Sequence, residues 1–328
     1  MKLRHTLVLA GCFFATAVQA QVDDGAAPPP PPGVSTLSVK TSIVAVTALV
    51  RDKDGVLARN LTREDFTVKE DGKTQKVRYF DKDNDLPLRI GLMVDTSGSQ
   101  SQYFAEQQAA SARFLDAMLT RKEDQAFIVR FDVGVFLLQP MTSDLGRLRG
   151  ALTMFDKKFP HGKSGGGTLL YDALVATAQQ VAGKEQGRRA VVVLTDGEDN
   201  GSITRLEQAV GAVQKADVSV YVAIYTDHDT SPALYMHPTL QTQARKKLNG
   251  RSIMEHLAQE SGGRLFVVTK DMTIDKIFLE VEHDMRMQYR LGYVPAQSAP
   301  GTFHALEVKV KNPKFTVQAR TGYYTPKQ

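Results

Sequence analysis

Ala190-Val191-Val192-Val193-Leu194 is apolar at five consecutive positions, and Leu88-Arg89-Ile90-Gly91-Leu92-Met93-Val94 is nearly so. A strand with one face in water alternates apolar and polar residues, whereas a continuous apolar run has protein on both faces. Ala126–Phe131, Val135–Leu138, Val218–Tyr225 and Leu265–Val268 read as further strands. Helical spacing separates these runs. It covers Phe104–Leu119, Leu169–Val181, Ile203–Ala216, Ile253–Gln259 up to the stop at Gly262-Gly263, and Ile274–Met287. In the second of these, Leu170, Leu174, Ala178 and Val181 share one face. The alternation predicts an α/β fold, a doubly wound, mostly parallel, Rossmann-like sheet covered on both sides.

The flanks are different. From Leu37, Val39, Thr41, Ile43, Ala45, Thr47 and Leu49 alternate with a second set of residues. Asp54-Gly55 and Asp71-Gly72 make turns around Phe66 and Val68, and Val77 and Tyr79 follow. After the α/β region, Tyr289–Val294, Phe303–Val310 and Phe315–Ala319 are again strand-like. Fragments this short make poor domains alone. Residues 37–84 and 289–328 are therefore expected to pair into one small all-β, sandwich-like module, with residues 85–288 inserted in it as the α/β domain.

The first twenty residues read as a signal peptide. Lys2 and Arg4 form a basic start, Thr6–Val18 an apolar run, and Val18-Gln19-Ala20 a small-residue cleavage site. The run is shorter than the about 20 apolar residues that span a bilayer, and no later stretch approaches that length. An exported protein, periplasmic or secreted, with no transmembrane segment in its mature chain is expected. Leu9-Ala10-Gly11-Cys12 resembles a lipobox, which would put a lipid anchor on Cys12. The apolar run continues through Phe13 and Phe14, however, so cleavage after Ala20 is preferred. Residues 21–36 contain Pro28–Pro32 and read as a stiff linker. Cys12 is the only cysteine of the 328 residues, so no internal disulfide, thiol nucleophile or cysteine zinc site is available. The formal net charge is +5, and its basic residues are scattered rather than interleaved with aromatics, which gives no support to nucleic-acid binding.

Three loops concentrate oxygen-bearing side chains. Asp95-Thr96-Ser97-Gly98-Ser99 follows the Leu88 strand. Ser164-Gly165-Gly166-Gly167-Thr168 leads into the Leu169 helix, and Thr195-Asp196-Gly197-Glu198-Asp199 follows the Ala190 strand. In an open parallel sheet such loops lie along one edge, where ligands bind. An extended loop would turn positions 95, 97 and 99 the same way. Asp95, Ser97, Ser99, Thr168 and Asp196 then form an all-oxygen set, suited to Mg2+, Mn2+ or Ca2+ rather than zinc or copper. Asp, Ser, Thr and Gly are also ordinary turn residues, so any one loop alone would say little.

The three motifs together resemble the metal-ion-dependent adhesion site of von Willebrand factor A domains, over roughly Pro87 to Met287. The resemblance implies that Ser97, Ser99 and Thr168 are direct metal ligands. It implies that Asp95 and Asp196 bind directly or through water, and that an Asp or Glu of a protein partner completes the shell. Leu61–Val68 with Glu70-Asp71-Gly72-Lys73, Tyr289–Tyr293 and Ala319–Tyr323 resemble the flanking segments of a bacterial exported family related to these domains.

Two alternatives to adhesion stay open on the residues alone: a hydrolase using a metal-bound water with Asp95 or Asp196 as base, and a subunit of a larger exported assembly. No His-Glu-x-x-His pair is present. Gly162-Lys163-Ser164 hints at a phosphate loop, but position 157 is Lys where that motif needs Gly. Asp227-His228-Asp229 reads as a solvated loop, and His161, His237, His256, His283 and His304 as surface or satisfied residues. Insert Thr230–Arg251 is long for a strand-to-helix connection and is a candidate for shaping selectivity.

Overall fold

The computed structural model of the chain describes residues 43–82, 86–156, 167–182, 187–225, 238–296 and 298–326, with backbone alone at 238–248. The signal peptide, Cys12, the proline run, Ser164–Gly166, Asp227–Asp229 and the first part of the 230–251 insert lie outside them. In chain order come β1 (Val44–Arg51), β2 (Phe66–Glu70), β3 (Lys73–Gln75), β4 (Tyr79–Asp81), β5 (Leu88–Asp95), α1 (Phe104–Met118), β6 (Gln125–Phe131) and β7 (Val135–Thr142). Then follow α2 (Leu145–Leu152), α3 (Leu170–Val181), β8 (Arg188–Thr195), α4 (Leu206–Lys215), β9 (Ser219–Tyr225), α5 (Pro238–Ser261), β10 (Leu265–Val268) and α6 (Ile274–Arg286). The chain closes with β11 (Tyr289–Tyr293), β12 (Phe303–Val310), β13 (Thr316–Ala319) and β14 (Gly322–Tyr324).

The continuous apolar runs became the central strands. The large sheet has the order β10-β9-β8-β5-β6-β7, parallel except for β7 at one edge. Every residue of β5 is buried. Ile90, Leu92 and Val94 pack on one face with Phe114 of α1, Leu148 of α2 and Phe278 of α6. Met93, Val191 and Val193 face the other way, against Leu174 of α3, Val213 of α4 and Leu257 of α5. Each such aliphatic side chain, taken fully out of water, stabilises the fold by about 1.5–3 kcal/mol. The alternating assignment to two cores is why neither face of these strands tolerates polarity.

The flanks form two four-stranded antiparallel sheets, β13-β1-β11-β4 and β14-β12-β2-β3, and each draws strands from both ends of the chain. Val44, Val46, Ala48 and Val50 of β1 meet Phe66, Val68, Leu291, Tyr293 and Leu306 in a core of their own. The even-numbered set of β1 thus faces inward. The fold is an α/β unit with a mostly parallel sheet joined to an all-β, sandwich-like module built from N- and C-terminal segments. Both parts lie within one compact unit, residues 41–328.

Several elements depart from the expected pattern. Helix α2, with Leu145, Leu148 and Leu152 at helical spacing, was not among the expected helices, and β3, β4 and β14, of three residues each, are too short to show a period. Helix α4 starts at Leu206 rather than Ile203, because Asp172 accepts hydrogen bonds from the Ile203 and Thr204 amides at 3.0 and 2.9 Å and holds them outside the helix. Strand β7 runs on to Thr142, and α5 begins at Pro238.

The joint between the two parts is polar. Arg51 of β1 pairs with Asp284 of α6, a carboxylate with no solvent exposure. Gln318 of β13 accepts from Arg51 at 3.2 Å and donates to the Gly262 carbonyl at 3.0 Å. Burial drives the Asp284 carboxyl up to about 6 against the opposing pull of Arg264 and Arg51. Arg51→Ala leaves this buried charge poorly compensated and is expected to cost about 3 kcal/mol. Urea unfolding at pH 8 measures that loss. It should shrink at pH 5, where Asp284 is protonated and no longer needs its cation.

Candidate functional site

Strands β5 and β8 are neighbours, but the chain leaves β5 toward β6 and β7 and later returns on its other side through β8, β9 and β10. This reversal opens a crevice at the carboxyl ends of the two strands. Asp95 is the last residue of β5, and Asp196 follows the last residue of β8. Their side chains therefore meet at the one point of the sheet edge where loops diverge.

Asp95 is fully buried. Its Oδ1 accepts from the Ser97 amide at 2.9 Å, and its Oδ2 from the Thr195 hydroxyl at 2.7 Å. Burial first, and then the charge of Asp196, push its carboxyl up to about 7. Ser97 has extended backbone, and the chain then turns into a short 3-10 segment, Gly98–Tyr103. The expectation of an extended loop through position 99 is thereby corrected. Ser99 sits in that first turn and still comes back to the same place, because the turn folds toward β8. Its hydroxyl lies 3.1 Å from that of Ser97 and donates to Asp196 Oδ2 at 2.6 Å. Asp196 also accepts from Gln100 Nε2 at 3.2 Å and from the Glu198 amide at 3.1 Å.

Thr168 exchanges both backbone hydrogen bonds with Asn200, at 2.9 and 2.8 Å, which ties the second loop to the third. Among the described residues nothing bonds to its side-chain hydroxyl. Ser97, Ser99, Thr168 and Asp196 line an open depression of about 370 Å3, together with Thr96, Asp132, Val133 and Glu198. Asp95 lies beneath it. The structure thus brings all five anticipated residues together, four on the surface of the depression and one under its floor. The donor set is purely oxygen, with two carboxylates and three hydroxyls, which fits a hard divalent cation.

Some supporting residues were not anticipated. Asp132 follows β6 at the same sheet edge; its carboxylate accepts from the Thr96 hydroxyl at 3.1 Å, and its carbonyl from the Leu169 amide at 2.8 Å. It pins two of the three loops at once, and the strand-end position that singled out Asp95 could have singled it out too. Asp199 does not face the depression. It accepts from the Tyr171 amide at 3.2 Å and from Ser202 at 2.5 Å, at the start of α3. Gly197 adopts φ +82°, and a Cβ on Gly250 of α5 would lie 2.6 Å from the Gly197 carbonyl oxygen. Two glycines face to face let the end of the 230–251 insert rest directly on the third loop, which only spatial neighbours could reveal.

An open doubly wound sheet with an oxygen-lined depression at its switch point defines a class of binding fold. Residues 90–198, from β5 to just past β8, match the family model of the von Willebrand factor type A domain. Comparison with curated proteins gives no match. Among solved structures, the chain is similar to the conserved hypothetical protein BatB from Bacteroides thetaiotaomicron, with 16% identity, TM-score 0.44, and 60% of this chain and 97% of that one covered. The vWF domain of the pili tip protein Mfa5 from Porphyromonas gingivalis gives 9% identity, TM-score 0.46, and coverage of 65% and 98%. The pilus adhesin SpaC from Lactobacillus rhamnosus GG gives 10%, 0.44, and coverage of 80% and 47%.

Asp95 is harder to ionise in the folded chain, at about 7, than in an unfolded one, at about 4. Its neutral form therefore favours the fold fully below pH about 4, and this contribution is lost as pH rises through about 7. Chelator-treated protein is expected to lose stability between about pH 4 and pH 7 in urea unfolding. Asp95→Asn, which cannot ionise, should flatten that slope.

Proposed function

We propose that the depression is a divalent-metal site, for Mg2+ or in its place Mn2+ or Ca2+, through which the chain holds an Asp or Glu of a protein partner. Ser97, Ser99 and Thr168 would be direct ligands, with Asp95 and Asp196 binding directly or through water. The observation that carries the reading is the convergence of two carboxylates and three hydroxyls at the switch point, where burial and then the charge of Asp196 make Asp95 harder to ionise. A cation between them turns that repulsion into attraction. When bound, the ion would supply a Lewis-acidic position facing solvent, and a carboxylate oxygen is a natural extra ligand for it.

The chain's own groups prepare this surface. The Thr195 hydroxyl and Ser97 amide orient Asp95, and Gln100 and the Glu198 amide orient Asp196. Second-neighbour hydrogen bonds of this kind fix ligand geometry in metal sites. The three hydroxyls add no charge to that of the two carboxylates, and an open coordination position on the ion would still take a carboxylate oxygen. Residues 1–20 support an exported setting for the encounter, as periplasmic or secreted protein. Among the described residues no helix is long and apolar enough to cross a membrane.

Calorimetry on chelator-stripped protein should show one Mg2+ or Mn2+ bound per chain, weakened at least tenfold by Asp95→Ala or Thr168→Ala. Partner capture from the exported fraction should be lost with chelator and regained with added metal. Unchanged metal binding in both variants would remove the site assignment, and capture that ignores chelator would remove the role of the metal in recognition.

A further inference from the structure

The β module carries a second constellation, far in sequence from the first. Strand β2 turns Phe66, Val68 and Glu70 toward the core of the module, so a carboxylate occupies a position where the pattern calls for an aliphatic residue. Glu70 is 5% exposed. Among the described residues no lysine or arginine pairs with it. Its Oε2 accepts from the Tyr293 hydroxyl and, at 3.1 Å, from the Tyr323 hydroxyl. Its Oε1 lies 3.9 Å from Nδ1 of His304, which is itself buried on β12. Asp71, next in the chain, places Oδ2 2.8 Å from the same nitrogen.

We propose that Glu70, Asp71 and His304 form a second metal site, for a borderline divalent ion of the Zn2+ class, which clips the β2–β3 turn to β12. One ligand atom from each of the three lies within 4.8 Å of the others. Tetrahedral ligands about 2.0 Å from zinc stand about 3.3 Å apart, so the observed separations of 2.8 and 3.9 Å need shifts of well under 1 Å. The mixture of two carboxylates and one imidazole suits zinc better than the all-oxygen set of the depression does.

The surroundings of each ligand have the character of an outer shell. Glu70 is held through its other oxygen by two tyrosines, and Asp71 through Oδ1 by the Ala305 amide at 2.9 Å. His304 is held through Nε2 by Ser298 at 2.9 Å and by stacking on the Tyr323 ring. Each side chain thus has one atom fixed by the protein and one turned to the common point. The metal would replace the proton now shared between Nδ1 and Oδ2, which leaves to solvent, and it would balance the buried charge of Glu70. Asp71 is exposed, which gives the ion a way in. This site is independent of the one proposed at the sheet edge.

The test is a Zn2+ titration of the untagged full-length Asp95→Ala chain, in which the sheet-edge site is removed, compared with the same chain also carrying Asp71→Asn or His304→Gln. Asparagine tolerates the positive φ of +48° at position 71, so the first variant keeps the turn and guards against misfolding. One Zn2+ per chain, a Tm raised by several degrees and an affinity reduced at least tenfold in both variants are expected. Co2+ in place of Zn2+ should give visible d–d absorption that both variants lose. No stoichiometric binding, or equal binding by Asp71→Asn, overturns the proposal. So does a His304→Gln chain that is less stable while zinc changes neither protein, which would leave only an ion-pair network.

Discussion

A parallel sheet covered on both faces has no room for polar chemistry except at its strand ends. In this chain β5 and β8 bury nearly every side chain against helices, so their final carboxylates are the first polar groups the sheet can present. Because β5 and β8 are adjacent and their loops diverge, those carboxylates are held together at low dielectric. Burial, and then the charge of Asp196, push the Asp95 carboxyl up to about 7. The loops that would spread to relieve it are restrained instead. Asp132 binds the first and second, and Asn200 binds the second to the third. The scaffold itself therefore holds the two carboxylates together, and this is preorganisation in its plain physical sense.

The module at the other end of the α/β unit follows a different logic. Two short segments, more than two hundred residues apart, each lack the area for a core, and they gain it only by pairing across the inserted domain. That makes the module sensitive to how the α/β unit presents its ends. Arg51 with Asp284 and Arg320 with Asp217 are long-range ion pairs that register the two parts, and the Thr321 amide donates a hydrogen bond to the Glu260 carbonyl at 3.3 Å. Polar contacts are more directional than apolar ones, so such a joint fixes relative orientation more than it adds stability.

Much of the α/β unit was legible because its signals are local. Ala190–Leu194 announces a strand covered on both faces, and the Asp that follows it needs no further information to be placed at the edge. Asp95, Asp196 and Thr168 could be read this way. Ser99 was assigned to the right place for the wrong reason, since a 3-10 turn rather than an extended loop brings it there. What could not be read are the pairings that depend on distance in space. Gly250 against Gly197 joins elements over fifty residues apart, and Glu70 meets Tyr293, His304 and Tyr323 only after the sandwich closes. His304 carried no marker of burial in its neighbours. Short strands such as β3 and β14 escaped for a related reason, because three residues hold no period.

The seating of α5 on the third loop bears on how recognition is tuned. Loops beside a preorganised site usually act by shape, provided they are held firmly enough to exclude alternatives. A Cβ on Gly250 would lie 2.6 Å from the Gly197 carbonyl oxygen, so a side chain there would push the helix off the loop that follows Asp196. The end of the insert and the Asp196 carboxylate therefore meet on one short loop. A partner touching the insert and a cation touching Asp196 would each favour one position of the same loop, and by thermodynamic reciprocity each would then strengthen the binding of the other.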